Sequence, residues 1–171
     1  EENAKTLTTG ELIKKIQENN EKVIVFSYYL DPLYGLEKLL KTKDINYVKF
    51  FDVDVDAREE SVDTFRNDNS VTAFIASSRI ASEGLTLTEA NNVIFLNRWW
   101  NPSSNSQARD RVVRIGQEKP VTIYNLYCVD TIEERVSEIL RDKSDVYAKV
   151  TDGLVEDLSD LTDEILDERK D

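Results

Sequence analysis

Residues 22–40, KVIVFSYYLDPLYGLEKLL, contain the pattern that decides the fold. The run 22–27 is short, apolar and β-branched, which is typical of a strand buried on both faces. Asp31 and Pro32 then match an N-cap followed by proline at the first helical position. Beyond them, four leucines share one helix face: Leu33, Leu36, Leu39 and Leu40. A buried strand followed at once by an amphipathic helix is the repeating unit of a parallel sheet.

The same alternation continues along the chain. Further apolar runs predict strands at 47–51, 71–77, 92–96 and 121–128. Capping patterns predict helices that begin at Thr8, Asp56, Ser104 and Thr131. We therefore predict an α/β fold, a three-layer sandwich in which helices cover both faces of a mostly parallel sheet of five or more strands.

Composition excludes several classes of chemistry. The 171 residues suffice for one ordinary domain. The chain has no histidine and a single cysteine, Cys128, which excludes Ser-His and Cys-His nucleophile pairs, most zinc sites and an internal disulfide. No apolar run approaches the ~18 residues that cross a membrane, so we expect no membrane partner. The chain begins at Glu1 and has no methionine, so we expect it to be a segment of a longer protein.

The charge is strongly acidic, with a formal net charge of −12. A net negative charge argues against nucleic-acid binding by the chain on its own, although a local basic patch is compatible with it. The segment 151–171 is nearly all acidic apart from apolar residues at helical spacing. Two interpretations stay open for it: a short amphipathic helix that packs on this or another domain, or a solvated acidic extension. Either one leaves a protein partner for this segment possible.

Ligands of such a sheet bind at the carboxyl ends of the strands. The phosphate-binding loop G-x-x-x-x-G-K-[ST] is absent, and so is G-x-G-x-x-G. Any nucleotide chemistry must therefore be shared with another domain.

Residues 107–117, QARDRVVRIGQ, are the most informative polar stretch. On a helix, Gln107, Arg111 and Arg114 share one face, and two guanidinium groups there suit a phosphate. An exposed helix with salt bridges to Asp110 is the commoner interpretation of such spacing alone.

Two further stretches end predicted strands. In 97–102, NRWWNP, either one of Trp99 and Trp100 lies near the surface and stacks on nucleic acid, or both pack beneath a loop. In 77–90, Ser77, Ser78 and Arg79 either hold a phosphate or form an ordinary turn, and Gly84 permits close backbone approach to a ligand.

Taken in order, these stretches resemble the second RecA-like lobe of superfamily 2 helicases, and most closely the Swi/Snf type of double-stranded-DNA translocase. Trp99-Trp100-Asn101-Pro102 followed by 107–117 is very similar to the family signature W-N-P…Q-A-x-D-R-x-x-R-I-G-Q. Residues 22–27 resemble its motif IV, 77–87 its motif V, and 131–134 the T-x-E-E helix start. The resemblance implies a helicase C-terminal lobe over 1–150, with an acidic extension over 151–171.

The resemblance also implies roles for individual residues. Arg111 and Arg114 match arginine fingers, with Arg114 on the γ-phosphate of ATP. Residues near the nucleotide would be Gln107, Gly84 and Thr86, and residues near the DNA backbone would be Ser27, Ser78, Arg79 and Trp100. ATP and Mg²⁺ would be held mainly by the first RecA-like lobe of the same chain, so the isolated second lobe would bind neither and would not hydrolyse ATP. The expected location is the nucleus in a eukaryote, or the nucleoid-associated cytoplasm in a prokaryote.

Some positions depart from the family pattern. Residues 52–56, DVDVD, replace D-G-S-x-S, which adds negative charge and puts DNA contact there in doubt. Motif V has Ala81-Ser82 for Gly-Gly and Thr86 for Asn, and Val112-Val113 replaces the usual Ala-His of motif VI. Asn97 or Arg98 occupies the position before W-N-P that is often Asp. The retained arginines favour an active enzyme, and the alternative is a degenerate, non-catalytic lobe that serves as an interaction module.

Overall fold

The computed structural model describes residues 4–79, 87–97 and 117–128, together with the single positions Thr131, Glu138 and Arg141. Eight elements are assigned within this part of the chain, in the order α1 (Ala4–Glu18), β1 (Val23–Ser27), α2 (Leu30–Thr42), β2 (Tyr47–Phe50), α3 (Val55–Asn67), β3 (Ala73–Ser77), β4 (Asn92–Phe95) and β5 (Thr122–Asn125). Every strand predicted from the sequence is present, and all five are shorter than the apolar runs that predicted them.

The five strands form one sheet in the order β2-β3-β1-β4-β5, and all neighbouring pairs are parallel. Strand β1 is central, and all five of its residues are buried. A strand that is covered on both faces has no polar face, which explains why 22–27 forms an apolar run rather than an alternating pattern. The predicted α/β fold with a parallel five-stranded sheet is confirmed.

Each face of the sheet packs against its own set of helices. On one face, Val23 and Val25 of β1 join a cluster with α1 and α2 that includes Ile13 and Leu36. On the other face, the alternate β1 residues pack with Phe65 of α3. Successive strand residues point to opposite faces, so β1 contributes to both cores and the three-layer arrangement follows.

The predicted starts of α1 and α2 were wrong. Helix α1 begins at Ala4, so Thr8 lies inside the helix instead of capping it. The neighbouring Thr9 hydroxyl donates to the Lys5 carbonyl at 2.7 Å, one turn back, which shows how a threonine is accommodated in a helix interior. Helix α2 begins at Leu30 with Tyr29 as its N-cap, and Asp31 lies in the first turn. A carboxylate in the first turn still interacts favourably with the helix dipole.

The start of α3 also differs from the prediction. Asp54, not Asp56, is the N-cap, and its Oδ1 accepts a hydrogen bond from the Ala57 amide at 2.9 Å. In the sequence, both aspartates precede the apolar residues of a helical pattern. In the structure, the backbone at Asp54 is extended, as an N-cap requires. Asp56 lies in the first turn.

The strand order creates a point where chain connections diverge. From β1 the chain runs through α2 to β2 on one side of the sheet, while β4 leads to β5 on the other side. Because β1 and β4 are neighbours, a crevice is expected beyond their carboxyl ends. Within the described ranges, no helix is long and apolar enough to cross a membrane.

Candidate functional site

The carboxyl ends of β1 and β3 bring together two serines that the sequence placed 51 positions apart. Ser27 pairs with Ser77 in the last register position of these strands. The next amide, that of Ser78, donates to the Ser27 carbonyl at 2.9 Å. Ser78 is partly exposed, whereas Ser27 is fully buried. The structure therefore places two of the predicted site residues side by side at the carboxyl ends of β1 and β3, next to the crevice between β1 and β4.

The Ser27 hydroxyl makes all of its hydrogen bonds to other residues of the chain. Its Oγ donates to the Tyr29 carbonyl at 2.6 Å and accepts from the Tyr29 amide at 3.2 Å. Oγ also accepts from the Asn97 Nδ2 at 3.0 Å. A hydroxyl has one proton and two lone pairs, so these contacts exhaust its capacity. Ser27 consequently shapes the turn after β1.

Asn97 closes the same crevice from the end of β4. Its Oδ1 accepts from the Tyr28 amide at 2.8 Å, which fixes the amide orientation and leaves Nδ2 to face Ser27. In the sequence, Asn97 stands out only as a departure from the family pattern. The signal was available, because a polar residue directly after a buried strand was the criterion that selected Ser78 and Arg79.

Arg79 is the exposed cation of the site. Its guanidinium carbon lies 5.4 Å from the centroid of the Tyr28 ring, a cation–π distance. The Tyr28 ring in turn meets Tyr29 edge to face, with 5.3 Å between centroids, and Tyr29 is 55% exposed. An arginine stacked on an aromatic ring keeps its planar donors oriented, which favours binding of a phosphate oxygen at this edge.

A second cation reaches this edge from α1. The Lys5 Nζ donates to the Leu96 carbonyl at 2.9 Å, one residue before Asn97. The amino end of α1 therefore lies beside the carboxyl end of β4. With Arg79, it gives the centre of the edge two positive side chains in a chain that is acidic on average.

The acidic segment 52–56 lies at the outer end of the same edge, after the edge strand β2. Asp52 has a positive φ of 50° and accepts a hydrogen bond from the Tyr34 hydroxyl at 2.6 Å. This hydrogen bond to Asp52 raises the pKa of Tyr34. Asp54 serves as the cap of α3. Two of the three aspartates thus have local structural roles, although their charge remains.

The donor chemistry of the described part does not fit a metal centre. Among the described residues, no group of three or more His, Cys, Asp or Glu side chains could hold a metal ion. The edge instead combines hydroxyl, amide, ammonium and guanidinium groups, which suit an anion such as a phosphate backbone.

Several predicted site residues lie outside the described residues. They are Gly84, Thr86, Trp100, Gln107, Arg111 and Arg114. The acidic segment 151–171 also lies outside them, as do the predicted helix from Ser104 and nearly all of the one from Thr131. Of the nine predicted site residues, the structure brings together Ser27, Ser78 and Arg79.

Comparison with known proteins gives a consistent family. The model of the helicase conserved C-terminal domain matches residues 5–116. The protein CHROMATIN REMODELING 19 of Arabidopsis thaliana is 38% identical over 141 residues, which are 82% of this chain and 18% of that protein. An uncharacterized ATP-dependent helicase of Mycoplasma pneumoniae is 33% identical over 160 residues, which are 93% of this chain and 15% of that protein.

Comparison with solved structures points to the same family. The crystal structure of the C-terminal part of the Fun30 ATPase domain superposes with a TM-score of 0.75 at 34% identity, and covers 80% of this chain and 44% of that one. The chain spans less than a fifth of the length of either curated relative named above. By its matched domain, its parallel sheet and these relatives, the chain belongs to the helicase conserved C-terminal domain family, as a second RecA-like lobe of the Swi/Snf type.

Proposed function

We propose that this chain is the C-terminal half of an ATP-dependent double-stranded-DNA translocase. The observation that carries the proposal is the meeting of Ser27, Ser78 and Arg79 at the carboxyl ends of the neighbouring strands β1 and β3. The family resemblance had assigned each of these residues to the DNA backbone. The names of the relatives, a chromatin-remodelling protein and an ATP-dependent helicase, support the same class of activity.

Within this proposal, the DNA-binding residues divide into two kinds. Arg79 is exposed and stacked on Tyr28, so it contacts a phosphate directly. Ser78 is partly exposed beside it and adds a hydroxyl donor. Ser27 is buried, so it acts by holding the turn at 28–29 in place. Contacts to phosphate carry no base information, so binding is independent of sequence, as a translocase requires.

The acidic segment 52–56 limits where the duplex lies. Strand β2 is separated from β1 by β3, which is two strand spacings, or about 10 Å. That distance is about one Debye length at 0.1 M salt, so repulsion from the aspartates at the β1 edge is reduced but not abolished. We infer that the duplex crosses the β1, β3 and β4 ends and avoids the end of β2.

ATP hydrolysis would require the first lobe as well. This chain has neither a phosphate-binding loop nor, in its described part, a metal-binding cluster. The first lobe would therefore hold ATP and Mg²⁺, while Arg111 and Arg114 would complete the site as the lobes close. Loss of an arginine finger lowers turnover by ~10³–10⁵-fold in comparable phosphoryl transfer. The isolated second lobe is expected to show no ATP turnover.

ATP hydrolysis by the full-length protein, with and without duplex DNA, tests this function. Wild type should be stimulated by DNA, Arg114→Ala should lose turnover, and Arg79→Ala should need more DNA for half-maximal stimulation. ATP hydrolysis by the isolated 171-residue chain would contradict the assignment of the missing parts to another lobe. Absence of turnover in wild type, with nucleotide still bound, would instead support a degenerate lobe that recruits partners, through the acidic segment 151–171 among other surfaces.

A further inference from the structure

Gln117 directly follows the stretch 107–116, and its side chain is bound to a distant part of the chain. The Nε2 atom donates to the Ala90 carbonyl at 2.7 Å and to the Thr88 carbonyl at 3.1 Å. The Oε1 atom accepts from the Lys119 amide at 3.0 Å. The carboxamide therefore links the beginning of the 117–121 connection to a turn nearly thirty positions earlier.

The turn that receives Gln117 is firmly held. Leu87 and Ala90 are fully buried in the core, and the Ala90 amide contacts the Leu87 carbonyl at 3.4 Å. Immediately afterwards, the Asn91 carbonyl accepts from the Thr122 amide at 2.9 Å, where β5 begins beside β4. Gln117 is thus attached to the sheet framework at the amino ends of β4 and β5, rather than to a surface loop.

Only a glutamine provides this set of bonds from that position. Its carboxamide has two N–H donors for the two carbonyls and an oxygen for the Lys119 amide. A glutamate of the same length accepts but does not donate when ionised. A lysine donates but does not accept. Asparagine is one methylene shorter.

We propose that Gln117 is a positioning residue that fixes the end of the arginine-bearing segment to the sheet. This inference rests on the proposed function, in which Arg111 and Arg114 reach ATP. Arg114 lies three residues before Gln117, so an anchored Gln117 restricts where that segment ends relative to the framework. Gln117 also holds the turn that follows the motif V-like segment 77–87, and it therefore joins the ends of the two segments assigned to nucleotide and DNA.

The test uses full-length protein with three substitutions at one position. Gln117→Met keeps the length but removes every hydrogen bond, and small misplacements of reacting groups cost up to ~10²-fold in rate, so kcat should fall at least roughly tenfold. KM for ATP and the affinity for DNA should change little, because no binding group is removed. Gln117→Lys keeps the donors and should recover most of kcat, whereas Gln117→Glu should behave like Gln117→Met.

Glu21→Ala is the matched control. It removes hydrogen bonds of Asn91 and Asn92 at the same end of the sheet and leaves the hydrogen bonds of the Gln117 side chain in place. Thermal melting of every variant measures the loss of stability. Wild-type kcat in Gln117→Met, or an equal loss of kcat in Glu21→Ala at equal melting temperature, would overturn the positioning role. If Gln117→Met does not fold, a kcat in Gln117→Lys no higher than in Gln117→Glu overturns it. Arg114→Ala, measured alongside, reports separately on the proposed function.

Discussion

Asn97 and Ser27 join two neighbouring strands at the point where the chain connections diverge, with the Asn97 Nδ2 donating to the Ser27 Oγ at 3.0 Å. The same Asn97 side chain accepts from the Tyr28 amide at 2.8 Å. This pair holds the turn after β1. Tyr28 belongs to that turn, and Arg79 stacks on the Tyr28 ring. The shape of the proposed DNA-binding edge therefore depends on a residue that itself has no charge.

Removal of the Asn97 clamp should destabilise the chain. In Asn97→Ala the Tyr28 amide loses its acceptor and Ser27 loses a donor. A fully buried unsatisfied group costs about 1–3 kcal/mol, and Tyr28 is partly buried, so the loss should lie toward the lower end of that range. Asn97→Asp keeps the acceptor for Tyr28 and should lose less stability. Urea unfolding of the two variants beside wild type measures the difference. Equal stability of wild type and Asn97→Ala would show that the clamp contributes nothing.

Arg79→Ala should weaken DNA binding uniformly across sequences. If Arg79 neutralises one phosphate, the slope of log K against log salt should fall by about one. Arg66→Ala is the charge-matched control, because Arg66 lies on α3, is also exposed, and faces Glu89 at 3.7 Å. Full-length protein titrated with duplex DNA at several salt concentrations gives both slopes. Identical slopes for the two variants would place the phosphate contact elsewhere.

The sheet was predictable because burial on both faces leaves an unmistakable pattern. Residues 22–27, 71–77 and 92–96 are continuous apolar runs, and each contains an observed strand. The order of the strands in the sheet could not be predicted from any single apolar run, because it depends on which helices cover which face. The positions of Ser78 and Arg79 next to Ser27 were predictable only because carboxyl ends of parallel strands share one edge.

Helix starts and the role of Asn97 were beyond the same reasoning. Asp54 and Asp56 both carry the side chain of an N-cap, and only the backbone conformation decides between them. Thr8 matched a capping pattern, yet α1 begins at Ala4, one turn earlier, and Thr6 in that first turn is buried. The role of Asn97 depends on its hydrogen bonds across the sheet to residues 27 and 28. These residues lie about seventy positions away in the sequence.

The choice of cap for α3 can be tested directly. Asp54→Ala removes the hydrogen bond to the Ala57 amide and should cost about 1 kcal/mol of unfolding free energy. Asp56→Ala removes the same charge from the first turn and loses only the helix-dipole interaction, roughly 0.3–1 kcal/mol at low salt and less at high salt. Denaturation at 0.5 M salt (about the regime in which surface charges are screened) should therefore separate the two variants. A larger loss in Asp56→Ala would restore the cap predicted from the sequence.

The last prediction concerns acid stability at the amino end of the sheet. Asn92 and Asn91 donate to the two carboxylate oxygens of Glu21 at 2.9 and 2.8 Å, and these hydrogen bonds, that of Asn92 foremost, lower the pKa of Glu21. A carboxylate whose folded-state pKa is lowered stabilises the fold above its ordinary pKa, which is about 4.3. That contribution disappears as pH falls through the lowered value.

Glu21→Gln removes this titration, so wild type and variant should differ most near pH 7 and converge in acid. The free energy of unfolding by urea, measured for both between pH 7 and pH 3, shows whether the difference shrinks. Glu11→Gln, at an exposed position on α1, is the control for the loss of one surface carboxylate. A gap between wild type and Glu21→Gln that stays constant down to pH 3 would mean that the Asn91 and Asn92 amides stabilise the neutral side chain equally well.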